Sequence, residues 1–311
     1  TNESIEEAVA FRQTIGRVHA KFAKQDEWFF KTWNADLVAV PGSKRRVPFH
    51  EAPAELLATD PAAWVMHPGD VWHGFDSLPD DYCMLDPIKV SVVTPGVKDD
   101  GSWAKSGIPA TLLTAYLDQQ GIQVEKTTDF TILFLFSIGI TKGKWGTLVN
   151  ALLDFKRDFD ADVPLERVLP GLVARFPARY AGLGLRGLAD QMFGQLKTSE
   201  QTQAMSKAFS TLPTPAMTPA AAYRELVHGN VESVSLDQLA GRTLATSVVP
   251  YPPGIPMLMP GELAGADDGP YLKYLRALRD WDQRFPGFSH DTHGVEVGED
   301  GEQFIQCLRS R

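Results

Sequence analysis

Cysteine is scarce in this sequence: its 311 residues include only two, Cys83 and Cys307. Two cysteines cannot build a disulfide framework, and their spacing is not that of a metal-binding motif, so we expect neither feature. Long apolar runs are also lacking. The best candidate, residues 130–140 (FTILFLFSIGI), falls well short of the roughly 18 to 20 residues of a membrane helix and predicts a buried strand.

Residues 1–13 (TNESIEEAVAFRQ) have neither the basic start nor the apolar centre of a secretory signal. Positive charge is in deficit, with a formal net charge of -9 at pH 7. The basic segment at residues 43–50 (SKRRVPFH) is short and isolated, whereas nucleic-acid binding needs a clustered basic face. We therefore expect a cytoplasmic protein with no membrane and no nucleic-acid partner.

Several enzyme signatures are absent, including the phosphate-binding GxxxxGK[ST] loop, the HExxH zinc motif and the GxSxG nucleophile motif. One cluster could carry chemistry, because His67 and His73 flank Asp70. It could be a metal site or an acid–base pair, but histidines in aromatic-rich loops more often serve as hydrogen-bonded structural residues. With no further residue at ligand spacing, we favour the structural interpretation.

The first half of the chain predicts an α+β domain. Apolar residues recur at helical spacing in the opening segment, which predicts an amphipathic helix over residues 5–22. The elements expected after it are a strand at 88–93, a helix at 108–121 ended by Gly121, strands at 122–126 and 130–139, and a helix at 144–160. This order is typical of a sheet with helices on one face, and we assign it to a domain of residues 1–163.

The second half, residues 164–311, predicts a further α+β domain. The expected helices are at 165–176, 186–197, 218–229 and 270–285, with strands at 231–236 and 243–249 and a hairpin of 293–297 and 303–309. Before the last helix lies a segment of apolar residues with five prolines and two glycines, Val248 to Glu262 (VVPYPPGIPMLMPGE). Neither a solvated linker nor a regular element has this composition. It predicts a rigid, largely buried loop with Tyr251 at its mouth.

Glu125 lies on the short predicted strand between apolar neighbours. A carboxylate buried there would be costly unless it were paired. The alternative is an exposed residue of an edge strand, next to Lys126. The local sequence leaves both interpretations open.

Four long motifs in order give the chain a family resemblance: MLDPIKVSVVTPG, GIPATLLTAYLDQQGIQVEKT, LFLFSIGITKGKWGTLVNALLDFKRDFD and PYPPGIPMLMPGE. Together they resemble the bacterial inducible ornithine, lysine and arginine decarboxylases, which use pyridoxal 5'-phosphate and have the aspartate-aminotransferase fold. The resemblance covers essentially the whole chain. It implies that residues 1–163 form the small aminotransferase-like domain and residues 164–311 the family's C-terminal domain.

The resemblance also implies that an essential part lies outside this chain. Members of the family are more than twice as long, and a preceding large domain holds the cofactor on the lysine of a Ser-X-His-Lys segment. None of the fourteen lysines in this chain follows a histidine. Without that lysine and a carboxylate at the pyridine nitrogen, the cofactor cannot be held or tuned. We therefore expect the C-terminal half of an enzyme, without the catalytic lysine, that needs the cofactor-binding part as its partner.

Two residues acquire roles through the resemblance. It places Glu125 at the position that faces the distal charged group of the substrate. It also brings the proline loop to the mouth of the active site, so that Tyr251 would touch the substrate or the cofactor. A guanidinium prefers two carboxylate oxygens in its plane, and Asp129, four residues after Glu125, could supply a second one.

The implied reaction is decarboxylation of arginine to agmatine with consumption of a proton, as in acid resistance or polyamine metabolism. Lysine to cadaverine is the alternative. The resemblance implies homodimers with shared active sites, which in this family often assemble into decamers of five dimers. A non-enzymatic interpretation also stands, in which the chain folds alone as an assembly or regulatory module. The absent lysine favours the module, whereas Glu125, Tyr251 and a whole small domain favour an enzyme.

Overall fold

The computed structural model describes residues 2–42, 45–79, 83–199 and 201–309. The chain divides into two compact units, Thr1–Phe193 and Gly194–Arg311, each with buried apolar residues of its own. The predicted boundary after residue 163 lies earlier in the chain, and as a division between the family's domains it stays a prediction. Residues 43 and 44 of the basic segment lie outside the described residues.

The helices that begin in the first unit are α1 (Asn2–Ala23), α2 (Ala54–Thr59), α3 (Ala110–Asp118), α4 (Gly146–Asp160), α5 (Leu165–Val168), α6 (Pro170–Arg175), α7 (Pro177–Tyr180) and α8 (Leu185–Ser199). Its strands are β1 (Lys31–Thr32), β2 (Leu37–Ala39), β3 (Arg46–Pro48), β4 (Lys89–Val93), β5 (Lys126–Thr127) and β6 (Thr131–Leu135). Along the described residues of the whole chain, no helix is both long enough and apolar enough to cross a membrane.

Four strands of the first unit form an antiparallel sheet in the order β1-β4-β6-β5. In its central pair Val90 lies opposite Phe134 and Val92 opposite Ile132, and all four side chains are buried. Because side chains alternate between the two faces of a strand, these four residues define the covered face. Helices α1 and α3 contact the sheet, and α4 contacts α3. The predicted α+β architecture is confirmed.

Apolar periodicity predicts the long helices of this unit correctly. Helix α1 buries Ala8, Val9 and Ile15 of its predicted stripe. Helix α3 ends shortly before Gly121, whose φ of 71° is the left-handed conformation that glycine supplies after a helix. These segments form helices because one face of each is covered by apolar neighbours.

Both predicted strands on either side of the hairpin turn are too long. Strand β5 covers only two residues, and β6 ends at Leu135, so Ile138 is 83% exposed rather than part of a buried strand. Beyond the strand, Ser4 Oγ of α1 donates a hydrogen bond to the carbonyl oxygen of Ser137 at 3.1 Å. Gly139 then turns the backbone with a φ of 93°.

The single helix predicted at residues 165–176 is wrong, because α5 and α6 are separate helices. Leu169 lies between them with φ -134° and ψ 53°, outside the helical region. It precedes Pro170, and the ring of a proline disfavours the helical conformation in the residue before it. The break is therefore a local effect of the proline.

The helices of the second unit are α9 (Gln201–Ser210), α10 (Pro219–Val227) and α11 (Pro270–Arg284). Its strands are β7 (Val231–Ser235), β8 (Val249–Tyr251), β9 (Asp291–His293), β10 (Val295–Val297) and β11 (Gln303–Leu308). Strands β10, β11 and β7 form an antiparallel sheet, and β8 pairs with β9. Helix α11 packs against α9. The predicted hairpin is confirmed as β10 and β11.

The strand predicted at residues 243–249 is mostly wrong. Within it, Leu244 and Val248 are fully buried, but each makes only an isolated bridge, to Cys307 and Leu258 respectively. A regular strand begins only at Val249. Leu244 and Val248 are each buried against a different part of the chain. The segment therefore has the apolar pattern of a strand without the continuous hydrogen bonding of one.

Candidate functional site

Glu125 lies next to the edge strand of the first sheet. Its backbone N–H donates to the carbonyl oxygen of Leu133 at 2.9 Å, which extends the pairing of β5 with β6 by one residue. The Glu125 side chain is exposed. Of the two interpretations, the structure therefore shows the exposed position at the sheet edge. The Glu125 carboxylate is not buried. Substrate contact by Glu125 stays a prediction.

The hairpin that carries Glu125 is fixed by threonine hydroxyl groups. Thr127 Oγ1 lies 2.7 Å from Thr114 Oγ1 on α3, which ties β5 to that helix. Thr128 Oγ1 lies 2.6 Å from Thr131 Oγ1 and accepts from the backbone N–H of Thr131 at 3.1 Å. The backbone of Glu125 therefore stands on a braced hairpin, and its side chain projects from a defined position.

Asp129 lies in the turn of the same hairpin, away from Glu125. Its carbonyl oxygen accepts from the N–H of Ala110, the first residue of α3, at 2.8 Å. The role of Asp129 as a second partner of the substrate stays a prediction.

The proline loop, Val248 to Glu262, is anchored at its two ends. Val248 N–H donates to the carbonyl oxygen of Leu258, and Met257 N–H donates to that of Val248, both at 2.9 Å. These three side chains are buried in the core of the second unit. The tip between the anchors is exposed, with Tyr251 at 44% and Ile255 at 56%. The loop is thus a braced projection, buried at its base and not at its tip.

Gly254 determines the backbone conformation at the tip of the proline loop. It was not identified from the sequence. Its N–H donates to the carbonyl oxygen of Pro250 at 2.9 Å, and its φ is 76°. A Cβ at this position would lie 2.6 Å from Cε2 of the Tyr251 ring. Only glycine leaves room for the ring here. A glycine three residues after an exposed tyrosine is the signal that could have identified it.

The other side of Tyr251 is set by strand pairing. Tyr251 pairs with Asp291 and Pro250 with Thr292 in the short β8–β9 ribbon. Glu125 and Asp129 belong to the first unit and Tyr251 to the second. In the first unit the backbone of Glu125 is held by the threonine-braced hairpin. In the second unit the backbone of Tyr251 is held by its pairing with β9.

The histidine cluster has structural contacts. His73 Nδ1 accepts from the N–H of Phe75 at 3.0 Å, and the His73 ring lies between the rings of Trp72 and Phe75. Asp70 accepts from Trp72 Nε1 at 3.4 Å. No group of three histidine, cysteine or acidic residues among those described could hold a metal ion.

The segment GLGLRG at residues 182–187 has the spacing of a dinucleotide-binding motif, but its context differs. It follows α7 and runs into the first turn of α8, whereas that motif follows a strand. The N–H groups of Arg186 and Gly187 donate to Asp162 Oδ1 at 2.9 and 3.1 Å. A carboxylate of this chain already occupies the start of α8, so the segment is a helix cap.

The lysines do not fit the role of a covalent cofactor anchor. Among those described only Lys156 is buried, and its Nζ lies 2.8 Å from Glu27 Oε2 and 2.5 Å from Asp160 Oδ2. Burial opposes its charge, but hydrogen bonds to Asp160 and Glu27 outweigh burial and raise the pKa of Lys156. A lysine that reacts with a carbonyl needs a lowered pKa. Lys156 is thus a structural ion-pair residue.

Comparison with known proteins identifies the chain. Residues 1–144 match the major domain of the Orn/Lys/Arg decarboxylases, and residues 202–309 match the C-terminal domain of the same family. The chain belongs to the Orn/Lys/Arg decarboxylase family. This confirms the resemblance and the fold class inferred from the four motifs.

Relatives in this decarboxylase family are similar over the full chain. The biodegradative arginine decarboxylase of Escherichia coli (strain K12) is 48% identical over 310 residues, which are 100% of this chain and 41% of the relative. Lysine decarboxylase LdcA of Pseudomonas aeruginosa is 39% identical over 313 residues, 99% of this chain and 39% of the relative.

Solved structures agree with these comparisons. The E. coli constitutive lysine decarboxylase has a TM-score of 0.85 with 36% identity, over 99% of this chain and 40% of that chain. Lysine decarboxylase A from Pseudomonas aeruginosa has a TM-score of 0.86 with 39% identity, over 99% and 39%. The chain therefore spans about two fifths of the length of the decarboxylases it matches.

Proposed function

We propose that this chain is part of a pyridoxal-phosphate-dependent decarboxylase that converts arginine to agmatine and carbon dioxide. The observation that carries the proposal is the 48% identity to a biodegradative arginine decarboxylase over the whole chain. The braced positions of Glu125 and Tyr251 support it, because both residues stand on rigid scaffolds from which they could meet a ligand.

The cofactor would act as the electron sink for loss of the carboxylate. The lysines described here do not fit a covalent anchor, so the anchor would lie on a further polypeptide segment that carries the Ser-X-His-Lys sequence. That segment is the first partner we propose. This chain then contributes side chains that bind and orient the amino acid.

Glu125 would bind the distal cation of the substrate. A carboxylate opposite a guanidinium makes charge-assisted hydrogen bonds that neutral side chains cannot replace. In this chain the Glu125 side chain is exposed, and it would lose water only when substrate and partner segment cover it. Desolvation at that moment would strengthen the contact and select for basic amino acids.

Tyr251 would contact the substrate or the cofactor at the mouth of the active site. The ring stands on Gly254 and the backbone pairs with β9, so little conformational freedom is lost when a ligand arrives. Its hydroxyl group is a hydrogen-bond donor and acceptor and could contact the substrate or the cofactor.

The reaction consumes a proton at each turnover, which suits acid resistance in the cytoplasm. We propose homodimers with shared active sites and decamers of five dimers as the assembled form. The net charge of -9 supports assembly at low pH, because protonated carboxylates repel less. Sedimentation in mildly alkaline and mildly acid buffer tests this, and a particle of constant size would contradict it.

Lysine decarboxylation is the second candidate, favoured by 39% identity to lysine decarboxylase LdcA over 99% of the chain. The deciding experiment isolates the native protein that contains this chain, measures its mass and compares carbon dioxide release from arginine, lysine and ornithine. Faster release from arginine supports the proposal, and faster release from lysine selects the second candidate. A native protein without a Ser-X-His-Lys segment and without activity would favour an assembly module.

A further inference from the structure

His290, which immediately precedes β9, is tied to Asp282 of α11. Its backbone N–H donates to Asp282 Oδ1 at 2.9 Å, and its ring Nδ1 lies 2.9 Å from the same oxygen. Because an ionised carboxylate only accepts hydrogen bonds, Nδ1 is the donor. The two side chains are only 16% and 19% exposed, so water competes little for these contacts. One residue therefore joins the start of β9 to α11 by two hydrogen bonds.

The His290 ring is also enclosed by its neighbours in the second unit. Its Nε2 lies 3.5 Å from Gln201 Nε2 of α9, and the centre of the Trp281 ring lies 5.9 Å from its own. Trp281 is buried and donates from Nε1 to the carbonyl oxygen of Phe288 at 2.9 Å. Two adjacent residues of α11, Trp281 and Asp282, therefore hold the turn that leads into β9.

The ribbon of β8 and β9 needs such support. Each strand has three residues, and the middle pair is Pro250 with Thr292. A proline has no N–H to donate, so the ribbon lacks one possible hydrogen bond at its centre. Two strands by themselves are at best marginally stable in water. The position of the ribbon therefore depends on what holds its ends.

Both ends of β9 are held, and the two ends differ in what lies opposite them. After the last residue of β9, Gly294 has a φ of 86°, and a Cβ there would collide with the carbonyl oxygen of Ser247. Before its first residue stands His290. Because the strands are antiparallel, that first residue, Asp291, pairs with Tyr251. The anchor at His290 is therefore the one next to Tyr251.

His293 provides a contrast within the same strand. Its Nε2 lies 3.1 Å from Asp291 Oδ2, but the two side chains are 69% and 71% exposed. Exposed ion pairs of this kind contribute little to stability. The contact also joins two residues of β9 to each other and not β9 to a helix. Of the two histidines, His290 is the one whose contacts reach α11.

We propose that His290, held by Asp282, is a positioning residue for Tyr251. It fixes the start of β9 on α11, and β9 fixes the strand that carries Tyr251. Without its ring contact the ribbon would be held firmly only at the Gly294 end, and the Tyr251 ring would sample more positions. The proposal rests on the proposed role of Tyr251 at the mouth of the active site. There, a displacement of about 1 Å can lower a rate by two orders of magnitude.

Hydrogen exchange of the native protein, followed by mass spectrometry, tests the anchoring without any need for activity. His290→Ala should speed exchange in residues 248–258 about tenfold, because the ribbon opens more often. Asp282→Ala, which removes the acceptor of both hydrogen bonds, should speed it further. In His290→Asn the side-chain amide can donate from near the position of Nδ1, so exchange should return close to the native rate.

Two controls show whether the effect is local. His293→Ala removes the exposed histidine of β9 and should change exchange in residues 248–258 less than about twofold. Exchange in α10 of the same unit, residues 219–227, should be unchanged in all four variants. An equal increase in α10 would mean that the Asp282–His290 pair holds the whole unit, and would overturn the proposal.

A double-mutant cycle in the native enzyme tests whether His290 acts through Tyr251. His290→Ala should lower kcat/KM about fivefold, mainly through KM, because the loop must be ordered each time a substrate binds. In the Tyr251→Ala background the same substitution should have almost no effect, since the residue it positions is gone. A merely structural His290 would lower kcat/KM equally in both backgrounds.

The outcomes separate this proposal from the proposed function. It fails if His290→Ala leaves exchange in residues 248–258 unchanged, if His290→Asn does not restore it, or if the kinetic loss persists in the Tyr251→Ala background. If Tyr251→Ala alone leaves kcat/KM unchanged, the role of Tyr251 in the proposed function is refuted instead. The exchange rates then still decide whether His290 holds the strand that carries Tyr251.

Discussion

The ring of Tyr251 rests on the backbone of Gly254, so closely that a Cβ at residue 254 would lie 2.6 Å from Cε2 and 2.7 Å from Cδ2 of the ring. The φ of 76° at Gly254 produces this approach by folding the loop tip back on itself. One backbone conformation thus sets the position of the exposed side chain.

Gly254→Ala should displace the Tyr251 ring. Both Gly254 and Gly229 have positive φ values, 76° and 72°, but no atom lies within 4 Å of a Cβ at Gly229. Gly229→Ala should therefore lower the free energy of unfolding, measured in urea, by only about 1 kcal/mol, the cost of a positive φ in a residue with a Cβ. Gly254→Ala should in addition abolish nuclear Overhauser contacts between the ring and residue 254, and in the native enzyme lower kcat/KM about tenfold. Retention of those contacts in Gly254→Ala would contradict the steric argument.

Glu125→Gln should reduce the use of arginine without destabilising the fold. Loss of a charge-assisted contact of about 2 kcal/mol corresponds to roughly a thirtyfold decrease in kcat/KM of the native enzyme. Because the side chain is exposed, the free energy of unfolding should change by less than about 0.5 kcal/mol. Asp129→Asn is the comparison and should change kcat/KM less than about threefold, since it lies at the other end of the hairpin. Equal effects of the two variants would restore Asp129 as a second partner.

Lys156→Met should destabilise the first unit by about 1 to 2 kcal/mol, a value reduced because Glu27 and Asp160 are 46% and 43% exposed. The raised pKa of Lys156 means that its contribution is complete below the ordinary value of 10.5 and is lost as the pH rises through the folded value. Urea unfolding between pH 7 and 11 measures this. Lys142→Met, at an exposed lysine, should leave stability unchanged, and a similar loss in both variants would refute the ion-pair assignment.

Cys307 should resist alkylation that Cys83 undergoes. Cys307 is fully buried, and burial raises the pKa of its thiol to about 11, whereas Cys83 is partly exposed. Mass spectrometry after iodoacetamide treatment at pH 8 should find label at Cys83 alone until urea is added. The protonated thiol stabilises the fold below the ordinary pKa of 9.0, and this contribution is lost as the pH rises through about 11. Cys307→Ala should therefore flatten the fall in stability between those values, and an unchanged slope would count against it.

Sequence patterns succeed here where one local force dominates. Apolar spacing identifies α1 because Ala8, Val9 and Ile15 of its stripe are all buried. The same reasoning fails at residues 243–249, where Leu244 and Val248 are buried by different distant partners. Alternation cannot distinguish that arrangement from a strand.

The candidate site shows the same division. The sequence leaves open whether Glu125 is buried or exposed, and the structure shows the exposed position because β5 is an edge strand of two residues. The spacing of four residues between Glu125 and Asp129 suggests a second partner for the substrate, and that role stays a prediction. The close contact between Gly254 and the Tyr251 ring becomes visible only in the folded loop.

The sequence by itself determined the α+β class, the long helices, the proline-rich loop and the decarboxylase family, because periodicity, turn chemistry and ordered motifs are written in short segments. Only the tertiary structure decided which carboxylate is exposed, where the strands end and what supports Tyr251. Contacts between residues far apart in the sequence contribute to these properties, such as Ser4 with Ser137 and Tyr251 with Asp291. Packing, and not local preference, sets them.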